Sequence, residues 1–282
     1  MSSHSSSKSF KYCITVNSLV YFLIAYYFVV FSYNLFSMML GKVLGFESEL
    51  FYYGFKNTGK AWTSSDVILV FFVGNALTLI IAILFERLYK KQRKYSKGIK
   101  MLFLWIYLIS VIWFLGNIII GAFFNFGIGA AVRAYKIPFF LRLVFALISI
   151  YLLLFLGWKA QKHVRISANL YFPRLLRVDT QKFLFFQIVL PSLLGIIIIM
   201  LLKIPHLTMY HFVDIYLLLT IVFFLGGLFY KNKSHGSMVF KAYDSDKLRL
   251  NRRICRIAFF PLIIAIIILA IIRIGLMNGM AL

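Results

Sequence analysis

Seven long apolar stretches, separated by short gaps, constrain this chain more than any other feature of its sequence. Each stretch runs roughly 19 to 26 residues, and about 20 apolar residues in a helix cross the hydrocarbon core of a bilayer. The 282-residue sequence is 62% hydrophobic, and only 14% of its residues are charged. Because a soluble domain of this composition would aggregate, we expect an all-α, polytopic transmembrane helix bundle.

The expected spans account for most of the chain. They lie near residues 14–40, 66–85, 101–124, 139–158, 183–202, 212–230 and 254–272. Residues 1–12 are Ser-rich and cannot bury a core, so we expect a disordered cytoplasmic N-terminus followed by one bundle over residues 13–282. The glycine-punctuated gap at residues 125–138 is interpreted as a surface loop, and its re-entry into the membrane is the alternative.

Basic residues alternate between the segments outside the spans. Arg142 and Arg256 lie within a turn of the start of the fourth and seventh spans and are counted with the segments before them. On this count the first, third, fifth and seventh segments hold 2, 7, 6 and 8 of the 31 Lys and Arg residues, whereas the intervening segments hold 3, 3, 1 and 1. Cytoplasmic loops of membrane proteins carry the excess of Lys and Arg. The pattern therefore predicts a cytoplasmic N-terminus and a C-terminus on the opposite side. Cys13 and Cys255 both lie near the predicted cytoplasmic face, where we expect reduced thiols.

The net charge of +23 favours the membrane surface over nucleic acid as the partner. The basic residues cluster within a turn or two of the apolar segment ends, where anionic cytoplasmic headgroups supply the counter-charge. Arginine forks also suit phosphates and carboxylates. We expect the loop arginines to dock anionic lipid headgroups or an acidic partner, and we expect no nucleic acid. These residues are Arg174, Arg177, Arg249, Arg252 and Arg253.

Enzymatic motifs are absent from the sequence: it has no His-Glu-x-x-His, Gly-x-Ser-x-Gly, phosphate-loop or Cys-x-x-Cys pattern. The best cluster of metal-ligand types is His206, His211 and Asp214, a set that suits zinc or iron. The interpretation we favour is an interfacial helix start, in which Asp214 stabilises the N-terminal dipole. We therefore expect no cofactor.

Polar side chains form a stripe on the second and third predicted spans. Asn75, Thr78 and Glu86 share one helix face, and Ser110 and Asn117 share a face of the next span. Small and amide-bearing faces let helices approach closely and hydrogen-bond across a seam, so packing is their expected role. A hydrated polar pathway is the alternative.

A proline marks the fifth span. Gln187, Pro191 and Gly195 lie one turn apart from each other, and Pro191 leaves the Gln187 carbonyl without its helical donor. This pattern predicts a kink.

Two arginines lie close to the predicted outer face. Arg142 is a turn into the fourth span and Arg273 follows the seventh. We expect both to snorkel to the outer interface or to pair with a carboxylate at Asp66, Glu47 or Glu49.

The sequence best fits a non-enzymatic membrane subunit that anchors, scaffolds or assists a transport or cell-envelope assembly together with other membrane proteins. A carrier or channel for a small or lipidic substrate is the first alternative, and a metal-dependent intramembrane enzyme is the second. Richness in Ile, Phe, Lys, Tyr and Asn is typical of an AT-rich bacterial genome, so we expect a location in a bacterial inner membrane.

Overall fold

The fold was described from a computed structural model. The structure describes residues 3–95, 98–125, 127–172, 174–204, 216, 218–230, 238–239 and 258–281. Within these residues the chain is mainly helical. The helices are α1 (Ser3–Val43), α2 (Ser64–Gln92), α3 (Ile99–Phe123), α4 (Ile128–Ala134), α5 (Phe139–Ser167), α6 (Arg177–Leu184), α7 (Leu190–Leu202), α8 (Ile221–Phe229) and α9 (Phe259–Gly275). A 3-10 turn follows α5 at Ala168–Leu170, and a π-helical turn at Phe185–Val189 joins α6 to α7.

Five helical segments are long and apolar enough to cross a membrane, and they indicate an integral membrane protein. They are Lys11–Val43, Ser64–Gln92, Ile99–Phe123, Phe139–Leu170 and Asp179–Leu202. Each contains or closely overlaps one of the first five predicted spans. In the regions of the sixth and seventh predicted spans, the described residues form the shorter helices α8 and α9. The count of seven spans and the orientation stay predictions.

Helix α1 begins at Ser3, so it includes most of the segment for which disorder was expected. The physical reason is cooperativity, because each residue added to an existing helical span gains a backbone hydrogen bond without a new nucleation step.

Helix α2 begins with a capping box. The Thr63 hydroxyl accepts a hydrogen bond from the Asp66 backbone N–H at 3.2 Å, and the Asp66 carboxylate accepts one from the Thr63 N–H at 3.1 Å. Asp66 also lies 3.4 Å from the Lys60 ammonium. These contacts engage the carboxylate that was expected to be open to Arg142 or Arg273.

Helix α3 lies at the centre of the bundle. It packs against α1, α2, α4 and α5. Of its apolar span 78% is buried, against 33% for α2 and 17% for the span that contains α5. A helix that is apolar on all sides is stable at such a central position, whereas the less buried helices present their apolar faces to lipid.

Two small sheets modify the expectation of an all-α protein. The strands are β1 (Glu47–Phe51), β2 (Gly54–Thr58), β3 (Arg174–Leu175), β4 (Met238–Val239) and β5 (Met280–Ala281). Strand β1 pairs antiparallel with both β2 and β5, which brings the gap after α1 and the C-terminal segment to the same end of the bundle. Strand β3 pairs with β4, which brings together two of the basic gaps. Hairpin pairing satisfies backbone groups that a membrane interface leaves without helical partners.

Cys13 is buried and disulfide-bonded in this structure, so the expectation of a reduced thiol was wrong for this residue. The one other cysteine of the sequence, Cys255, lies outside the described residues.

Candidate ligand-binding cavity

The polar stripe on α2 and α3 meets across the helix seam. The Asn117 side-chain amide donates to Oδ1 of Asn75 at 3.2 Å and to the Trp113 carbonyl at 3.0 Å. Asn75 donates in turn to the Phe114 carbonyl at 3.2 Å. The Thr78 hydroxyl donates to the Asn75 carbonyl at 2.7 Å. Asn75, Thr78 and Asn117 are buried, and the two bonds of Asn75 with Asn117 and Phe114 join α2 to α3 in a buried seam.

The other two members of the predicted stripe lie elsewhere. Ser110 is buried two turns from Asn117 along α3, toward the other end of the helix. Glu86 lies three turns from Asn75, where its carboxylate pairs with Lys90 at 2.7 Å and approaches Nε2 of His163 at 4.0 Å. The stripe is therefore not one continuous polar path.

A cavity of about 200 Å³ opens beside the asparagine seam. Residues of α2, α3, α4 and α5 line it. The lining residues are Phe72, Asn75, Ala76, Phe114, Ile118, Gly121, Ala122, Ile128, Val132, Arg142 and Phe145. Most of the wall is therefore apolar, and Asn75 and Arg142 supply its polar side chains.

Helix α4 contributes to the cavity lining because the glycine-rich connection lets it pack closely against α3. A Cβ on Gly121 would lie 2.7 Å from the Gly129 backbone nitrogen, so only glycine permits this close approach. Gly127 begins α4 at a φ of +53°, a left-handed conformation that disfavours side chains. The gap at residues 125–138, for which a surface loop was favoured, thus contains a short helix packed on α2 and α3.

Arg142 extends from the first turn of α5 into the cavity wall. Its Cζ lies 5.4 Å from the centroid of the Phe139 ring, a cation–π contact. Its Nε and Nη1 atoms are buried and have no hydrogen-bond partner within the described chain. The structure describes no ion pair of Arg142 with Asp66, Glu47 or Glu49, and two of its nitrogens do not reach water. Pairing of Arg142 with these carboxylates is thus absent from the described contacts, and because the side chain is partly exposed, its snorkelling stays a prediction.

The cavity opens toward the surface that would face lipid. Phe72 on α2 and Phe145 on α5 line the cavity, and their side chains are 59% and 51% exposed, respectively. Exposed aromatic groups on the sides of a membrane helix contact lipid chains.

Arg273, the second outer arginine, has a different environment. Its Nη1 donates to the Leu202 carbonyl at 2.6 Å and its Nη2 to the Ile204 carbonyl at 2.8 Å. It thereby satisfies carbonyls at the C-terminal end of α7, where a cation is favoured by the helix dipole.

Several predicted site residues cannot be placed in this geometry. His206, His211 and Asp214 lie outside the described residues, as do Arg249, Arg252 and Arg253. For Arg174 and Arg177 the backbone is described, at β3 and at the start of α6. Across the described ranges there is no group of three or more His, Cys, Asp or Glu side chains that could hold a metal ion.

Sequence reasoning identified the amides of the cavity but did not connect Arg142 with them. The position of Arg142 in the sequence could have indicated its role, because Arg142 lies one turn inside the predicted span that begins at Phe139. An ionisable residue inside a span is a functional candidate by default. Comparisons of the chain with family models, with curated proteins and with solved structures found no match.

Proposed function

We propose that the protein is a carrier, or a membrane-embedded binding protein, for a small or lipidic substrate. The substrate enters the cavity beside the Asn75–Asn117 seam from the bilayer. The observation that carries this proposal is the cavity of about 200 Å³ beside the Asn75–Asn117 seam. It combines apolar walls with two convergent polar groups, the pattern of small-molecule sites.

The volume sets a limit on the substrate. An apolar cavity of about 150 Å³ holds one benzene molecule, whereas sites for drug-sized ligands have at least about 300 Å³. The cavity therefore holds one end of a lipidic molecule, and the remainder of that molecule passes between Phe72 and Phe145 into the lipid.

Filling the cavity tests this function. Ala76 lines the cavity on α2, and Ala76→Leu would occupy part of its volume. Leu79→Phe is the matched control, because Leu79 lies one turn away on α2 and is 38% exposed. The measurement is native mass spectrometry of the full chain, extracted in mild detergent, to count the lipidic molecules retained.

We expect the wild type and Leu79→Phe to retain a lipidic molecule, and Ala76→Leu to retain less of it at an unchanged melting temperature. Equal retention by all three proteins would contradict the proposal.

A second candidate is the membrane subunit that docks acidic partners and anionic lipid on its basic end. It is supported by the way the basic gaps meet. Asn169 donates to the Arg93 carbonyl at 3.3 Å, which joins two of these gaps, and β3–β4 pairing joins the third. A clustered positive surface binds anionic headgroups more strongly than isolated charges do.

Charge removal tests the docking candidate. The test variant replaces Arg174, Arg177, Arg249, Arg252 and Arg253 with glutamine. The control variant replaces Lys42, Lys56 and Lys60 at the hairpin end. We expect only the test variant to lose anionic lipid and co-purifying subunits, with a smaller difference at high salt because exposed contacts are screened. An unchanged profile at low salt would leave the arginines as topology signals.

A further inference from the structure

The guanidinium of Arg142 has hydrogen-bonding capacity that its surroundings do not use. Its buried Nε and Nη1 face no acceptor within the described residues. Burial of a charged group without partners costs free energy, and arginine does not lose its proton to avoid that cost. A group of this kind gains stability when an anion arrives.

The acidic residues near this end are engaged or directed elsewhere. Asp66 accepts from Thr63 and pairs with Lys60. Glu47 and Glu49 are exposed on β1. The described part of the chain thus supplies no carboxylate to Arg142, and a bound anion would supply the complementary charge.

The walls determine what kind of anion fits. Apart from Asn75 and Arg142, the lining is apolar, so a free inorganic anion would lose its hydration on every other side. An anionic head attached to an acyl chain avoids this cost, because the chain covers the apolar wall and continues between Phe72 and Phe145 into the lipid.

We propose that the cavity recognises an anionic amphiphile, with Arg142 binding a carboxylate or phosphate head group and Asn75 lying beside it as a neutral polar contact. Carboxylate and phosphate oxygens accept charge-assisted hydrogen bonds from guanidinium N–H groups, and Nε and Nη1 each have an N–H group without a partner in the described chain. This inference rests on the proposed function and names its substrate class.

Four probes separate the head group from the chain: hexadecanoate, hexadecyl phosphate, hexadecanol and inorganic phosphate. Each is offered to the full chain in phosphatidylcholine nanodiscs, the lipidic probes at equal mole fraction, and occupancy is read by native mass spectrometry. The variants are Arg142→Gln, the cavity-filling Ala76→Leu and the control Arg133→Gln. Arg133 is exposed on α4, donates to the Phe123 carbonyl at 2.8 Å and does not line the cavity. Arg133→Gln therefore removes the same charge as Arg142→Gln at a nearby position outside the cavity.

We expect Arg142→Gln to weaken binding of one or both anionic amphiphiles by about tenfold or more, as for a lost charge-assisted hydrogen bond. Hexadecanol binding should change little, and Arg133→Gln should behave as the wild type. Inorganic phosphate should not bind measurably. The relative occupancy by hexadecanoate and hexadecyl phosphate identifies the preferred head group.

Equal affinity of wild type and Arg142→Gln for every amphiphile, with binding still lost in Ala76→Leu, would overturn the head-group inference and leave the proposed function standing. If Ala76→Leu affects no probe either, both fail. Arg142-dependent binding of inorganic phosphate, without the amphiphiles, would also overturn the inference.

Discussion

Lys100 and Arg142 lie at opposite ends of the bundle, and the protein holds these two buried cations in contrasting ways. Lys100 is fully buried, and its ammonium donates to the Tyr95 carbonyl at 2.7 Å and to Oδ1 of Asn169. Arg142 has two buried nitrogens without such partners in the described chain. The ammonium of Lys100 thus links three segments, whereas the guanidinium of Arg142 lines a cavity.

Packing along α5 follows the same contrast. In the half of α5 near the basic end, a Cβ on Gly157 would overlap the Phe224 carbonyl of α8. Gln161 donates to the Leu228 carbonyl at 3.1 Å. In the other half, Arg142 and Phe145 line open space. Helices α5 and α8 therefore pack closely at the basic end, whereas the other half of α5 borders open space.

The largest effect on stability is expected from a substitution that forces α5 and α8 apart. A Cβ on Gly227 would overlap the Leu154 carbonyl, whereas one on Gly226 would lie 3.2 Å from the movable Leu154 Cδ2. We expect Gly227→Ala to lower the free energy of unfolding by about 3 kcal/mol, because a backbone atom cannot give way. Gly226→Ala should cost far less. Thermal unfolding in detergent measures the stability of both variants. Equal stability of Gly227→Ala and Gly226→Ala would show that α5 and α8 pack less closely than described.

Removing the cation of the basic end is expected to have the next largest effect. Lys100→Met leaves the Asn169 and Tyr95 oxygens without their donor, so we expect a loss of about 2 kcal/mol. Lys60→Met is the control, because Lys60 is an exposed partner of Asp66 and exposed pairs contribute at most about 1 kcal/mol. An unchanged melting temperature for Lys100→Met would remove the structural role assigned to this cation.

A smaller effect is expected at the proline-interrupted helix. The Ser18 hydroxyl donates to the Gln187 carbonyl at 2.5 Å and accepts from the Trp105 indole at 2.9 Å. We expect Ser18→Ala to cost about 1 kcal/mol. In a Pro191→Ala background the helix can supply its own donor to Gln187, so the cost of Ser18→Ala should shrink. Additive effects of the two substitutions in a double-mutant cycle would contradict this coupling.

The smallest effect on stability is expected for Arg142→Met. No hydrogen bond of its Nε or Nη1 is lost, and a desolvated charge is removed, so the free energy of unfolding should change by less than about 0.5 kcal/mol or increase slightly. Arg273→Met should be destabilising, because it removes the donors to Leu202 and Ile204. Comparable destabilisation by both variants in thermal unfolding would mean that Arg142, too, is a structural cation.

Much of the architecture follows from local pattern. Apolar length predicted the first five spans, because a helix in lipid must satisfy its own backbone over the thickness of the bilayer. The apolar pattern of the sequence did not indicate the β1–β2 hairpin. That segment is short, and its aromatic residues are typical of a membrane interface whether or not the segment forms strands.

The candidate site was predictable only in part. Asn75, Thr78 and Asn117 were selected from helical spacing. The side chains of Asn75 and Asn117 hydrogen-bond to each other, and the Thr78 hydroxyl donates to the Asn75 backbone carbonyl. Glu86 was selected by the same spacing, but it lies three turns from Asn75 and pairs with Lys90, because periodicity gives the helix face of a residue and not its position along the helix.

Pro191 separates what the sequence determines from what the tertiary structure decides. The sequence alone determined that the Gln187 carbonyl lacks a helical donor, because proline has no N–H. The tertiary structure decided which group donates to this carbonyl instead, and that group is the hydroxyl of Ser18 on α1. The cavity beside Arg142 follows the same division, since the sequence places a cation one turn inside α5 while the spacing of α2, α3, α4 and α5 creates the space around it. Local bonding needs depend on neighbours in the chain, whereas their fulfilment depends on how distant helices cross and rotate.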